Sequence, residues 1–225
     1  IFHSTNEKET MYLKNFFGPT AKIVQISNFS DRANLDYDSN IIRDPDILNV
    51  VFLSRIAKMK NLHYALEILK DSRININFDI YGPISDKQYW KKCQVFISNL
   101  PKNINAKYRG VIEQKLVYKI LVKYDLFFLP TLGENFGHAI AESLSVGTPV
   151  LISNKTPWKN LQPKGLGWDI SLNNNEEFNK ALEKVFKSNK RRPNQMREKV
   201  RAYVKKNFNY EDEINHYRDL FNKLI

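Results

Sequence analysis

Four short apolar runs constrain this chain more than any other feature: Asn49–Ser54 (NVVFLS), Asn77–Gly82 (NFDIYG), Asp125–Pro130 (DLFFLP) and Pro149–Ser153 (PVLIS). Read as continuous apolar runs, they fit strands covered on both faces, as the strands of a parallel sheet are. Helical patterns lie between them. Leu62, Ala65, Leu66 and Leu69 recur at i, i+3, i+4 and i+7, and Val117, Ile120, Leu121 and Tyr124 repeat that spacing. Ile140 with Leu144 marks a third helix, and Phe178 with Leu182, Val185 and Phe186 a fourth. Strand and helix alternating at this spacing predict an α/β fold built on an open, doubly wound parallel sheet of Rossmann type.

The two ends fit that series less well. Residues 1–33 read as a short strand, a helix over Asn6–Phe17 with Asn6 as N-cap and Gly18-Pro19 as its stop, and a further strand at Lys22–Ile26. Asn28–Asn40 is polar and turn-like, and amphipathic helices are expected around Gln195–Asn207 and Glu211–Leu224. The opening strand has no obvious partner in the pattern, which is the expectation for a chain that begins inside a larger protein.

Composition narrows the class. A chain of 225 residues, 42% hydrophobic and 26% charged, is ordinary globular material and long enough to fold without disulfides or a structural metal. No apolar run approaches the ~20 residues that span a bilayer. Ile1–Thr5 carries neither a basic nor an apolar leader segment. The single cysteine, Cys93, cannot form an intramolecular disulfide or a thiolate cage, and the expected compartment is the cytoplasm. The formal charge of +11 implies an anionic partner. Much of the excess lies in Lys184–Lys206, which reads as a solvated helix face, as contact with an anionic membrane surface, or as a nucleic-acid patch. That stretch offers only Phe186 and Tyr203 for base stacking, which weighs against nucleic acid as a partner.

In open α/β sheets, ligands bind beyond the carboxyl ends of the strands. Ser54-Arg55 follows the first run, with Lys60 shortly before a helix; Gly82 ends the second; Thr131–His138 follows the third and opens the helix that carries Glu142. A cation pair, a glycine turn and two carboxylates, Glu134 and Glu142, are thereby expected on one cleft. Arg55 and Lys60 suit a pyrophosphate, the one by its planar fork and the other as a point charge. Gly137 admits close backbone approach, and the N–H groups around Phe136–Ala139 form an anion site at a helix start. Glu142, inside that helix, suits vicinal hydroxyls, and Glu134, on the loop, a sugar hydroxyl. The four histidines show no ligand spacing, so no metal and no cofactor beyond a nucleotide-sugar substrate is expected.

The segment ENFGHAIAE (Glu134–Glu142), after DLFFLP and before SLSVGTPVLIS, resembles the Glu-x7-Glu signature of retaining glycosyltransferases of family 4. VVFLSRIAKMKNL, FDIYGP and RGVIEQKLVYKILVKYD resemble the family's arginine–lysine, glycine-ended and nucleobase-side segments, in the same order. The resemblance implies one half of the two-domain GT-B fold, the carboxyl-terminal, donor-binding half. It implies a division into 1–33, the end of an amino-terminal domain with its linker; 34–207, the nucleotide-sugar-binding domain; and 208–225, a crossover helix. It further implies that Arg55 and Lys60 hold the donor diphosphate, that Glu142 holds the ribose, and that Glu134 holds the sugar with backbone N–H groups of Asn135, Phe136 and Gly137. Gly110, Val111 and Ile112, with Val117 nearby, would border the base, and Ser54, Gly82 and His138 would line the donor site. Ser54 and Asn135 stand where glycine or a small residue is usual in that family. The implied activity is metal-independent transfer of a sugar from UDP or GDP to a glycan or lipid-linked acceptor, in cell-surface polysaccharide or lipopolysaccharide synthesis. A nucleotide-sugar epimerase on the same fold is the competing enzyme, and the basic nucleic-acid module the competing binding protein. His138 also reads as a structural hydrogen-bonder, and Trp158 and Trp168 as loop packing.

Overall fold

The computed structural model describes residues 1–5, 7–26, 43–208 and 210–222. Its centre is a six-stranded, all-parallel sheet in the order β5-β4-β3-β6-β7-β8, made of β3 (Leu48–Leu53), β4 (Ile76–Tyr81), β5 (Ile104–Gly110), β6 (Leu126–Leu129), β7 (Val150–Ser153) and β8 (Gly167–Ile170). The apolar runs form β3, β4, β6 and β7, and the side chains of β6 and β7 are buried throughout. Phe52, Phe78, Phe127 and Phe128 are fully buried and fill the sheet's two faces. Helices α2 (Leu62–Lys70), α3 (Lys87–Ser98), α4 (Val117–Leu121), α5 (His138–Ser145) and α6 (Asn175–Arg191) supply the cover. Chain order runs outward from β3 to β5, then restarts at β6 on the other side of β3. Right-handed crossovers therefore put α2 and α5 on opposite faces, and β3 and β6 flank the switch point.

Three elements of this layer lie outside the patterns read from sequence. β5 and β8 are the sheet's edges, and an edge strand need not be apolar on every residue. Along β5, buried or half-buried Ile104, Ala106 and Tyr108 alternate with exposed Asn105, Lys107 and Arg109. In β8, Asp169 interrupts the apolar residues because its carboxylate accepts the N–H groups of Asn160 and Leu161. The helix between β4 and β5, α3, buries Tyr89 and Cys93 and is capped by the Asp86 carboxylate, which accepts the Tyr89 N–H at 2.9 Å.

The opening strand, β1 (Phe2–Ser4), does have a partner: it pairs in parallel with β2 (Ile23–Gln25), on either side of α1 (Glu7–Phe17). The helix α7 spans Gln195–Asn207, as its pattern predicts, and α8 spans Tyr210–Asn222. The Tyr217 hydroxyl lies 3.2 Å from His3 Nε2, so α8 runs against the β1–β2 pair, with Leu220 buried and Phe221 exposed. The expected cap Asn6, the turn-like stretch over Asn28–Asn40 and the apolar Leu224 lie outside the described residues.

At the amino end of the sheet, Asp125 is structural. It accepts the Asn49 N–H at 2.8 Å and pairs with Arg43 Nε at 2.9 Å. Burial raises the Asp125 carboxyl above its ordinary range, and the Asn49 and Arg43 contacts oppose that. Buried Arg197 of α7 donates to the carbonyls of Tyr124 and Val122, tying the helix to the turn before β6.

At the carboxyl end, Gly82 has φ +134, and a Cβ there would stand 2.0 Å from the Ser54 carbonyl oxygen. This closeness lets β4 and β3 end side by side. Gly82→Ala is expected to destabilise the chain by roughly 3 kcal/mol, through backbone strain and displacement of Ser54. Thermal unfolding of the two proteins measures it, and an unchanged transition would contradict the contact.

Candidate active site

The loops after β3 and β6 are fastened to each other, and their residues explain how. The segment after β3 turns through a short 3-10 helix, Lys58–Lys60, and ends on Asn61 at φ +60, a left-handed conformation that asparagine tolerates. Buried Asn61 donates Nδ2–H to the Pro130 carbonyl at 2.9 Å. The Met59 carbonyl accepts the Leu132 N–H at 2.8 Å and the Thr131 hydroxyl at 3.0 Å. Ser153, at the end of β7, donates its hydroxyl to the Thr131 carbonyl from the other side.

These tethers set Lys60 against Glu134. Lys60 Nζ lies 2.6 Å from Glu134 Oε1, and the side chains are 14% and 10% exposed. The ammonium has three N–H groups and gives one to Glu134, so donors remain for a second anion; the carboxylate keeps an oxygen for a hydroxyl. Arg55 is exposed at the mouth of the same loop, next to half-buried Ser54.

The β6–α5 loop ends at Gly137, the N-cap of α5, with φ +85. A Cβ there would meet Ile140 Cδ1 at 2.8 Å and Trp158 Nε1 at 3.5 Å, so the turn requires glycine. The first intrahelical bonds run from the Ile140 and Ala141 N–H groups to the Gly137 carbonyl, which leaves the earlier N–H groups of the helix start outside the ladder. Trp158 fixes this turn by donating its indole N–H to the Phe136 carbonyl at 2.6 Å, while Phe136 packs edge-on against His138. The loop-packing role expected of Trp158 is what the structure shows.

Glu142 lies on α5 and is 7% exposed. Burial raises its carboxyl above the ordinary range; a hydrogen bond from Gln114 Nε2 at 2.6 Å and the nearby His138 favour the ionised form. Gln114 belongs to the 3-10 turn Gln114–Leu116 beyond β5. In that region Gly110 has φ +87 and its carbonyl accepts the Gly82 N–H, Val111 is 68% exposed, and Ile112 is half-buried against the core. Val117 departs from this set: it is buried beneath the loop in the hydrophobic core and supports the site without lining it.

The structure thus brings Ser54, Arg55, Lys60, Gly82, Glu134 and the Asn135–His138 turn to the switch point, with Gly110–Ile112 and Glu142 joined to it through Gln114. Sequence reasoning gave Asn61, Thr131 and Gln114 no part. Their signal is weak because each acts through a carbonyl or a carboxylate contributed by a distant segment. Among the described residues, no group of three or more His, Cys, Asp and Glu side chains is placed to hold a metal ion.

With this geometry in hand, the family is clear. The model of the family "Glycosyl transferases group 1" matches residues 38–206, and the chain belongs to it. An uncharacterized 41.2 kDa protein in the cps region of Klebsiella pneumoniae is 24% identical over 175 residues, covering 77% of this chain and 46% of its own length. Among solved structures, a single-residue mutant of S. aureus TarM in complex with fondaparinux, alpha-GlcNAc-glycerol and UDP superposes with a TM-score of 0.77 at 19% identity, over 98% of this chain and 43% of that one. Anabaena HepE in complex with UDP-glucose superposes with a TM-score of 0.80 at 14% identity, over 98% of this chain and 63% of that one. The chain therefore spans about half the length of the proteins it resembles.

The ion pair gives a test of the geometry by itself. Because both side chains are largely buried, a double-mutant cycle of Lys60→Ala and Glu134→Ala is expected to show a coupling of about 1–3 kcal/mol in unfolding free energy. Additive effects would mean that the two groups do not meet.

Proposed function

We propose that this chain is the donor-binding part of a retaining glycosyltransferase that takes a sugar from a nucleoside diphosphate, UDP before GDP, and gives it to a glycan or lipid-linked acceptor. The observation that carries the reading is the Lys60–Glu134 pair at the switch point, beside the start of α5. A departing diphosphate develops negative charge. The remaining N–H groups of Lys60 and the positive end of α5 are preset to meet it, and Arg55 can swing in from the mouth of the loop, which together is electrostatic stabilisation of the developing anion. Glu134 binds a hydroxyl of the transferred sugar, Glu142 the ribose hydroxyls, and Gly110–Ile112 the edge of the base. UDP in the TarM complex and UDP-glucose in the HepE complex support a uridine donor. The cps-region relative supports a place in surface-polysaccharide synthesis.

The division of labour follows from span. The chain corresponds to 43% of TarM and 63% of HepE, and the residues that hold the acceptor belong, on this reading, to an amino-terminal domain that β1, α1 and β2 would adjoin. The 225-residue chain is expected to bind donor without transferring it, because positioning the acceptor supplies up to roughly 7–11 kcal/mol of such a barrier. Calorimetric titration with UDP in EDTA is expected to give micromolar to millimolar affinity. Glu142→Ala is expected to weaken UDP by about 1–3 kcal/mol, and Glu134→Ala to leave it nearly unchanged while impairing transfer by the two-domain enzyme. Absence of binding by folded chain, or equal loss in the two variants, would contradict the assignment.

A second observation bears on where the enzyme works. Lys180, Lys184, Lys187 and Arg191 follow one another at i, i+4, i+7 and i+11 along α6 and, with Arg192 and Glu183, border an open cavity of about 550 Å3. Lys180 is paired with Glu176 and Lys187 with Glu183 on the same helix. No helix among the described residues is long and apolar enough to cross a membrane. We place the enzyme in the cytoplasm, held peripherally on the inner face of the membrane by this stripe, each cation not already paired with a carboxylate adding about 1 kcal/mol of attraction. Cosedimentation with phosphatidylglycerol vesicles and not with phosphatidylcholine vesicles is the expected result. It should weaken on replacing Lys184, Lys187 and Arg191 by Gln, and binding that ignores those changes would refute the placement.

A further inference from the structure

Among the described residues, one side chain from outside its own helix holds the Glu142 carboxylate. Gln114 Nε2 donates to Glu142 Oε1 at 2.6 Å, across 28 positions of sequence, from an exposed turn to a carboxylate that is 7% exposed. An exposed glutamine can satisfy its amide with water, and fixing so long a side chain costs rotamer entropy. The contact therefore calls for a reason beyond local satisfaction. The last torsion of a glutamate is broad and roughly two-fold, so a lone carboxylate is poorly fixed about its own axis. A bond on Oε1 fixes that rotation and leaves Oε2 as the acceptor for an incoming hydroxyl pair.

We propose that Gln114 is a positioning residue for the donor: it clamps Oε1 of Glu142 so that the carboxylate plane is set for a vicinal diol. The same bond ties the loop carrying Val111 and Ile112 to α5, so the base side and the ribose side of the site are fixed together. The inference rests on the reading of Glu142 as the ribose-binding group. Electrostatics agrees with the geometry. Burial disfavours the ionised carboxylate, and the groups facing it that favour ionisation are Gln114 from the turn and His138 from α5. Without Gln114 the carboxyl would keep its proton to higher pH, and a protonated carboxyl accepts fewer hydrogen bonds.

The test uses the 225-residue chain, with UDP and 2′,3′-dideoxy-UDP as probes, in wild type, Gln114→Leu and Glu142→Ala. Removing the amide leaves the buried Glu142 carboxyl without that hydrogen bond, so the variant is expected to melt somewhat below wild type, and binding is read at a temperature where all three proteins are folded. Gln114→Leu should weaken UDP about tenfold, the scale of a hydrogen bond to a charged group, and barely change the dideoxy compound. The acid-side loss of UDP affinity should move to higher pH in that variant. Equal loss for both nucleotides would make Gln114 a loop-bracing residue and overturn the proposal, as would no loss. The parallel variant separates the causes. If Glu142→Ala discriminates between the nucleotides and Gln114→Leu does not, only the role of Gln114 falls. If Glu142→Ala fails to discriminate, the ribose reading falls and takes the proposal with it.

Discussion

Everything chemical in this molecule depends on one junction, the side-by-side parallel pairing of β3 and β6 at the point where the strand order reverses. Val50 and Val51 register with Leu126 and Phe127, so the two strands end together and their loops must part. A crevice at such a point is a consequence of connectivity. What makes it a site is that the loops do not part completely. The bond from Asn61 to the Pro130 carbonyl and the two bonds to the Met59 carbonyl hold them within reach of each other. The Lys60–Glu134 pair is the outcome, a cation and an anion held ready, each with hydrogen-bonding capacity left over.

The two glutamates differ in environment more than in distance along the chain. Glu134 sits on a loop beside a lysine, whereas Glu142 sits inside a helix, nearly out of solvent, with a glutamine amide as its main support. Burial works against the Glu142 charge and the site opposes it with a hydrogen bond and a nearby imidazole. Nearly out of solvent, the oxygen that Gln114 leaves open is a strong acceptor for hydroxyl groups, since little water competes for it. The glycine at the N-cap of α5 and the Trp158 indole bond to Phe136 then fix where the helix start lies relative to both carboxylates.

Much of this was legible in the chain because the central strands announce themselves. Runs such as DLFFLP can only be covered on both faces, and once their order is known the loops that follow them must share an edge. The edge strands left no apolar run, and only the resemblance of RGVIEQ pointed to a strand ending near Gly110: β5 alternates Asn105, Lys107 and Arg109 with its inward residues, and β8 spends Asp169 on two backbone N–H groups. The helix α3 escaped because it buries so few of its side chains, Tyr89 and Cys93. In the site, the charged residues could be placed from sequence, while the tethers could not. Asn61, Thr131 and Gln114 are uninformative one at a time, and their roles exist only once distant segments are brought together. Val117 shows the converse, a residue of the base-side segment that packing claims for the core.

The central claim is that the switch-point crevice, and no other surface, receives the nucleotide. Backbone amide chemical shifts of the isotopically labelled 225-residue chain, followed while UDP is added, test it most directly. Shifts should concentrate at Arg55, Gly110–Ile112 and Phe136–Ala139, the residues around the carboxyl ends of β3, β5 and β6. A response centred on Lys180–Arg192 of α6, with the crevice silent, would contradict it.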